Sequence, residues 1–281
     1  MMDDHIEMGA VSLRVLDLQK TADFYQRVIG LELIEKTTAA VCLGSTAGPL
    51  VHLQHLPDGR PVRFATGLYH LALRVPTRRD LANWFGHYGA QDAPFWQGAS
   101  DHGVSEALYL SDPEGNGIEI YYDRPRAEWP VGLDGKLTMF TAALDLRSLQ
   151  GAADGRSWQG IAPETDMGHV HLKVADIVTA RRFYVDILGF DTIVELPQSA
   201  LFVSAGGYHH HLGLNVWHSR LADPLPDDGL GLVRYEIRFP SNAARDEVAR
   251  KLERAQAVVV RHAGTIYLTD PFGIDIALTL S

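Results

Sequence analysis

The sequence predicts an α+β fold assembled from four copies of one βαβββ module. Four segments open alike: Gly9-Ala10-Val11-Ser12-Leu13-Arg14-Val15, Tyr69-His70-Leu71-Ala72-Leu73-Arg74-Val75, Gly168-His169-Val170-His171-Leu172-Lys173-Val174 and Val233-Arg234-Tyr235-Glu236-Ile237-Arg238-Phe239. Each alternates apolar with polar or small residues, the period of two that marks a strand with two different faces. A helical stretch follows each opening strand. It is clearest at Thr21-Ala22-Asp23-Phe24-Tyr25 before Gly30 and at Ala180-Arg181-Arg182-Phe183-Tyr184 before Gly189. Both glycines stand where a helix C-terminus needs a residue that tolerates a left-handed backbone. The second module places Asp80 to Tyr88 at the helix position and the fourth Asn242 to Gln256. Short β-type runs complete the unit, such as Ala39 to Leu43 and Leu50 to Gln54 in the first module, and Ile266 to Thr269 and Ile274 to Leu278 in the last.

The chain of 281 residues divides accordingly into modules one and two over 1–122, a crossing segment over 123–166, and modules three and four over 167–281. The crossing segment carries Pro125, Pro130, Gly132, Gly135, Gly151, Gly155 and Pro163, a density that argues for a linker rather than a fifth repeat. Leu137 to Phe140 and Leu144 to Leu149 are the runs within it that can pack on the body.

Composition excludes several classes of function. A formal net charge of −10 repels nucleic acid and anionic membranes, leaving a small molecule as the expected partner. Cys42 is the single cysteine, so the chain has neither a disulfide framework nor a thiolate metal cluster, and a reducing, cytoplasmic setting is expected. The acidic start Met-Met-Asp-Asp-His does not read as a signal peptide, and no apolar run approaches the ~20 residues needed to span a bilayer.

The chemistry concentrates between His102 and Glu119, which hold Leu108-Tyr109, Asp112-Pro113 and Gly115 between them. Comparison of the modules adds two further histidines. His70 and His169 occupy one position on the opening strand, where the other modules carry Ala10 and Arg234. On the closing strand, Glu119 is matched with His52, Asn215 and Asp275. A lone strand histidine is usually a satisfied core or surface residue. Two in the same repeat register, with a glutamate on the closing strand, point instead to one metal site of two imidazoles and a carboxylate, with coordination positions left open.

These residues resemble the vicinal oxygen chelate superfamily, and within it the type I extradiol ring-cleavage dioxygenases. The resemblance spans all four repeats, and the stretch from His102 to Glu119 is similar to the pattern that marks those enzymes, departing mainly at Ser100. It implies modules paired into two half-barrel units. It further implies His169, His70 and Glu119 as ligands of Fe2+, with Mn2+ accepted by the same set, Tyr109 as an acid or hydrogen-bond donor, and His102 in contact with substrate. The run Gly206-Gly207-Tyr208-His209-His210-His211-Leu212-Gly213-Leu214 is similar to the family's base segment. Family spacing through Gly213 and Leu214 selects His210 as the catalytic base, whereas strand alternation from Asn215 points His209 and His211 inward, so both stay open as alternatives. The layout departs from the usual one, in which all three ligands lie in the last two modules. Modules two and three are therefore expected to form the site, with one and four as a structural pair in which Arg234 and Asp275 form an ion pair.

The resemblance implies an aromatic diol and O2 as substrates, deprotonation of the diol by a nearby base, and ring cleavage beside the hydroxyl pair to a muconic semialdehyde-type product. It is compatible with a homo-oligomer without defining one. Two competitors are a glyoxalase-type lyase, which uses a fourth side-chain ligand, and a metal-free protein that sequesters a small molecule. Trp96, Trp158 and Trp217 read as core packing or as pocket wall.

Overall fold

The computed structural model describes residues 1–91, 95–133 and 135–281. The βαβββ unit recurs four times. Module one comprises β1 (Glu7–Val15), α1 (Leu18–Phe24), β2 (Glu32–Lys36), β3 (Ala40–Ser45) and β4 (Gly48–His55). Module two comprises β5 (Gly67–Arg74), α2 (Arg78–Gly89), β6 (Trp96–Asp101), β7 (Ser105–Ser111) and β8 (Gly117–Asp123). The crossing segment then forms β9 (Ala142–Ala143) and α3 (Leu146–Gln150). Module three follows as β10 (Asp166–Lys173), α4 (Ile177–Arg181), β11 (Asp191–Leu196), β12 (Ala200–Ser204) and β13 (Leu212–Asn215). Module four is β14 (Gly231–Phe239), α5 (Asn242–Arg254), β15 (Val259–His262), β16 (Thr265–Thr269) and β17 (Asp275–Leu280). Among the described residues no helix is long and apolar enough to cross a membrane.

The helices start and stop where local chemistry directs. Asp17, Thr77, Asp176 and Ser241 cap α1, α2, α4 and α5 by accepting a backbone N–H from inside the first turn. Both α1 and α4 widen into π-helical turns, Tyr25–Ile29 and Arg182–Ile187. Gly30 ends the first at φ 91°, and Gly189 follows the second at φ 93°. The wider turns carry Tyr25 and Tyr184 fully into the core. There Tyr25 donates its hydroxyl proton to Asp112 at 3.3 Å, and Tyr184 to Asp270 at 2.7 Å. Each aspartate also accepts two backbone N–H groups of its own Asp-Pro turn, those of Glu114 and Asn116 or of Phe272 and Ile274. Burial raises both carboxyls to about 6.

The chain forms two compact units. Unit 1 is Met1–Arg14, Asp58–Tyr69 and Gly168–Ser281; unit 2 is Val15–Pro57 and His70–Met167. In unit 1, β1 pairs antiparallel with β14, which joins the opening strands of modules one and four. β14 runs parallel to β17, from which the antiparallel meander β17, β16, β15 leads outward. Module three repeats that pattern: β10 runs parallel to β13, followed by β12 and β11. In unit 2, β5 runs parallel to β8, β7 and β6 follow antiparallel, and β9 of the crossing segment adds to β6. One face of each sheet is apolar and carries the helices, with Leu71 and Leu73 in module two and Val170 and Leu172 in module three wholly buried. The opposite face receives the polar residues of the alternation.

Candidate active site

Strand pairing in unit 2 sets one row across the polar face. Ala72 on β5 lies opposite Glu119 on β8, and Glu119 opposite Tyr109 on β7. His70, two residues before Ala72, shares its face. His70 Nε2 lies 3.0 Å from Glu119 Oε2, and both side chains are buried. An imidazole and a carboxylate held together out of water suit a divalent cation, which would otherwise have to be replaced by a proton between them. The small residues Ala72 and Ala107 leave room for the Tyr109 ring, which packs against them and Tyr121. That ring centroid stands 5.7 Å from the His70 ring.

His102 sits just beyond β6, and its two ring nitrogens have defined roles. Nδ1 lies 2.9 Å from the carbonyl oxygen of Phe140, an acceptor only, so Nδ1 carries a proton. With the ring neutral, Nε2 is then the acceptor for the Tyr109 hydroxyl at 2.8 Å. The crossing segment thus orients the histidine, and the histidine orients the tyrosine. Phe140 escaped the sequence reading because its contribution is a backbone carbonyl in an irregular segment, for which no periodicity exists. Gly103 permits the approach: its φ is 76°, and a Cβ there would stand 2.6 Å from the Phe140 ring. Asp112, inside the same motif, is structural. It is fully engaged in the Asp-Pro turn that leads into β8 and delivers Glu119.

The polar face of module three, within unit 1, carries a chain of rings. The His169 ring lies 4.2 Å from that of His210, and His210 5.2 Å from Phe202. His171 contacts Phe202 at 5.5 Å, Tyr69 at 4.9 Å and Trp217 at 5.6 Å. The run from His209 to His211 is a loop ahead of β13, entered through Gly206 and Gly207 at positive φ, so strand alternation does not govern it. His211 Nδ1 accepts the Ala205 N–H at 3.2 Å, beside the Ser204 hydroxyl at 3.0 Å, which ties it to its own loop. His209 Nδ1 lies 2.8 Å from His210 Nδ1, so the two rings share one proton along that line. The His210 ring lies nearer His169 than the His209 ring does, 4.2 Å against 6.2 Å between centroids.

The strand register corrects two expected equivalences. Counterparts of Glu119, which faces Ala72, must face His171 in module three and Glu236 in module four. Those residues are Gly213 and Ala277, not Asn215 and Asp275. Asn215 lies opposite Lys173, where its amide nitrogen donates to His171 Nε2 at 3.0 Å. The expected ion pair of Arg234 and Asp275 is also replaced. Arg234 lies over the Tyr267 ring at 5.2 Å, and Asp275 accepts the Thr269 hydroxyl at 2.7 Å. Trp217 is 44% exposed and so is wall rather than core, whereas Trp158 stacks on His87 at 4.2 Å.

The fold and this constellation define a class. The chain belongs to the glyoxalase/bleomycin resistance protein/dioxygenase superfamily, whose family model matches residues 4–120. Among its relatives, catechol-2,3-dioxygenase of Bacillus subtilis (strain 168) is 38% identical over 273 residues, covering 96% of this chain and 94% of that protein. The iron-dependent extradiol dioxygenase of Rhodococcus jostii (strain RHA1) is 27% identical over 190 residues, 63% of this chain and 56% of its own length. A solved structure from Bacillus subtilis subsp. subtilis str. 168 shares the fold at a TM-score of 0.68 and 11% identity, over 100% of this chain and 86% of that one.

Proposed function

We propose that this protein is an extradiol dioxygenase that opens the ring of catechol or a substituted catechol with O2 to a muconic semialdehyde-type product. The observation that carries the reading is the buried pair of His70 and Glu119 beside Tyr109, whose hydroxyl is directed by His102. His169 completes the set. The support for this is that His169 is buried and holds in module three the register position that His70 holds in module two. Fe2+ is the preferred ion, since a relative is named for its iron dependence, and Mn2+ suits the same donors. The bound metal supplies a Lewis acid that acidifies the diol, together with a route for electrons from the diol to oxygen.

The chain's own residues then handle protons and orientation. Tyr109, donating to His102 Nε2 at rest, keeps an oxygen lone pair for a diol hydroxyl and can pass a proton in either direction. His210 is the proposed base, placed by its contact with His169, and its Nδ1 can exchange a proton with His209. Gly213 disfavours the lyase reading, because the position that would supply a fourth ligand holds no side chain. A metal-free binding protein would have no use for an imidazole and a carboxylate buried in contact.

The test is oxygen uptake on a catechol panel after anaerobic loading with Fe2+. Uptake matched by a yellow ring-fission product is expected, and its absence from protein that holds iron would sink the proposal. Glu119→Gln should lower retained iron at least tenfold by metal analysis, since loss of even an outer partner of a ligand costs about 10-fold to 100-fold.

A further inference from the structure

The four modules place a cation at one register position near the end of the opening strand: Arg14, Arg74, Lys173 and Arg238. All four are half-buried on the polar face of their strands. Three are visibly compensated. Arg14 donates to the carbonyl oxygens of Pro226 and Asp227. Arg74 lies 3.3 Å from Asp123 and 2.5 Å from Asp166, and Arg238 lies 4.0 Å from Glu236. Lys173, in the module that bears His169 and His210, has no hydrogen-bond or ion-pair partner among the described residues. Its burial lowers the affinity of its amine for the proton, with no carboxylate nearby to restore it.

The surroundings of Lys173 are built for an aromatic guest. His169, His171 and Lys173 share one face of β10, and the His171 ring between them is in contact with the rings of Phe202, Tyr69 and Trp217, the last two also meeting each other. Lys173 pairs across the strands with Asn215, whose side-chain oxygen accepts the backbone N–H of Trp217 at 3.1 Å. Four residues of strand separate His169 from Lys173, roughly 13 Å at a rise of about 3.3 Å per residue. That exceeds the width of a single ring, so a group meeting both ends carries a side arm.

We propose that Lys173 receives a carboxylate on the side arm of an aromatic diol, with Trp217, Tyr69 and Phe202 flanking the ring and arm. The inference deepens the ring-cleavage reading and rests on it for the orientation of the diol. An unpaired, half-buried ammonium is costly to keep, and a ligand that brings the anion offsets that cost only when bound.

The experiment uses the Fe2+-loaded enzyme and two pairs of probes: 3,4-dihydroxyphenylacetic acid and 3-(3,4-dihydroxyphenyl)propionic acid, each beside its neutral amide. The wild type should favour the acids over the amides by about tenfold or more in kcat/KM, the worth of one hydrogen bond to a charged group. That ratio should fall toward one in Lys173→Met and in Lys173→Gln, and should survive in Lys173→Arg. Equal use of acid and amide by the wild type, or an acid preference that survives in Lys173→Met or Lys173→Gln, would overturn the proposal. If no diol supports oxygen uptake, the ring-cleavage reading falls by itself. Equilibrium binding of the same acids and amides, read by quenching of Trp217 fluorescence, then decides Lys173 alone: an acid preference lost in Lys173→Met upholds the site, and none in the wild type removes it.

Discussion

The Tyr109 hydroxyl is held by a short chain of hydrogen bonds in which every proton has a place. With the ring neutral and the Phe140 carbonyl accepting from His102 Nδ1, the tyrosine donates to Nε2, which leaves its lone pairs for the proposed diol. Tyr109→Phe should therefore lower kcat by about 10²-fold to 10⁴-fold, the usual range for a positioned acid–base group, while iron content stays at the wild-type level. Steady-state oxygen uptake beside metal analysis checks this. Since His102 acts through the tyrosine, adding His102→Phe to Tyr109→Phe should cost little more, and a double-mutant cycle reads that non-additivity. Tyr109, His102, His70 and Glu119 were all legible as candidates, because their residue types and spacings are chemical. The direction of each proton was not, since it depends on Phe140, 38 residues from His102 along the chain.

At the scale of elements, glycine positions decide what can approach what. Gly103 at φ 76° brings the strand end against the Phe140 ring, and any side chain there meets both backbone strain and a clash. Gly103→Ala should cost about 1–2 kcal/mol from the left-handed backbone alone. A fall of several degrees in Tm is expected, at roughly 2–4 °C per kcal/mol for chains of comparable length, with a larger fall in activity as His102 loses its carbonyl. Calorimetry and oxygen uptake on the same variant separate the two effects. Gly213 matters for the opposite reason: a Cβ there would stand 2.8 Å from the His171 ring, so that imidazole fills the place a side chain at this position would take. The repeat alignment places Asn215 there, two pairs along the parallel ladder. A comparison of closing strands by similarity alone has no access to the ladder that defines which residues face each other.

At the scale of the whole molecule, the paired tyrosine–aspartate contacts couple stability to pH. Asp112 and Asp270 are almost wholly buried, and both carboxyls are raised from 3.8 to about 6 by loss of water. Between those values the folded chain binds more protons than the unfolded one, so stability is greatest below the unfolded value and falls as pH rises to about 6. A rise from 3.8 to about 6 corresponds to about 3 kcal/mol for each group. Asp270→Asn should flatten the loss of stability between about pH 4 and 6, measured by denaturant unfolding across that range. An unchanged slope would show that the carboxyl titrates normally.

The amino-acid sequence alone determined the four modules, their helix stops and the residue types of the proposed ligand set. Each of these is written in local periodicity and recurs at matching positions. Only the tertiary structure decided which closing-strand residue faces His171, which carbonyl orients His102, and that Lys173 stands unpaired among the described residues where three arginines are paired. Those facts depend on hydrogen-bonded register and on contacts between segments far apart in the chain, which carry no periodicity to be read.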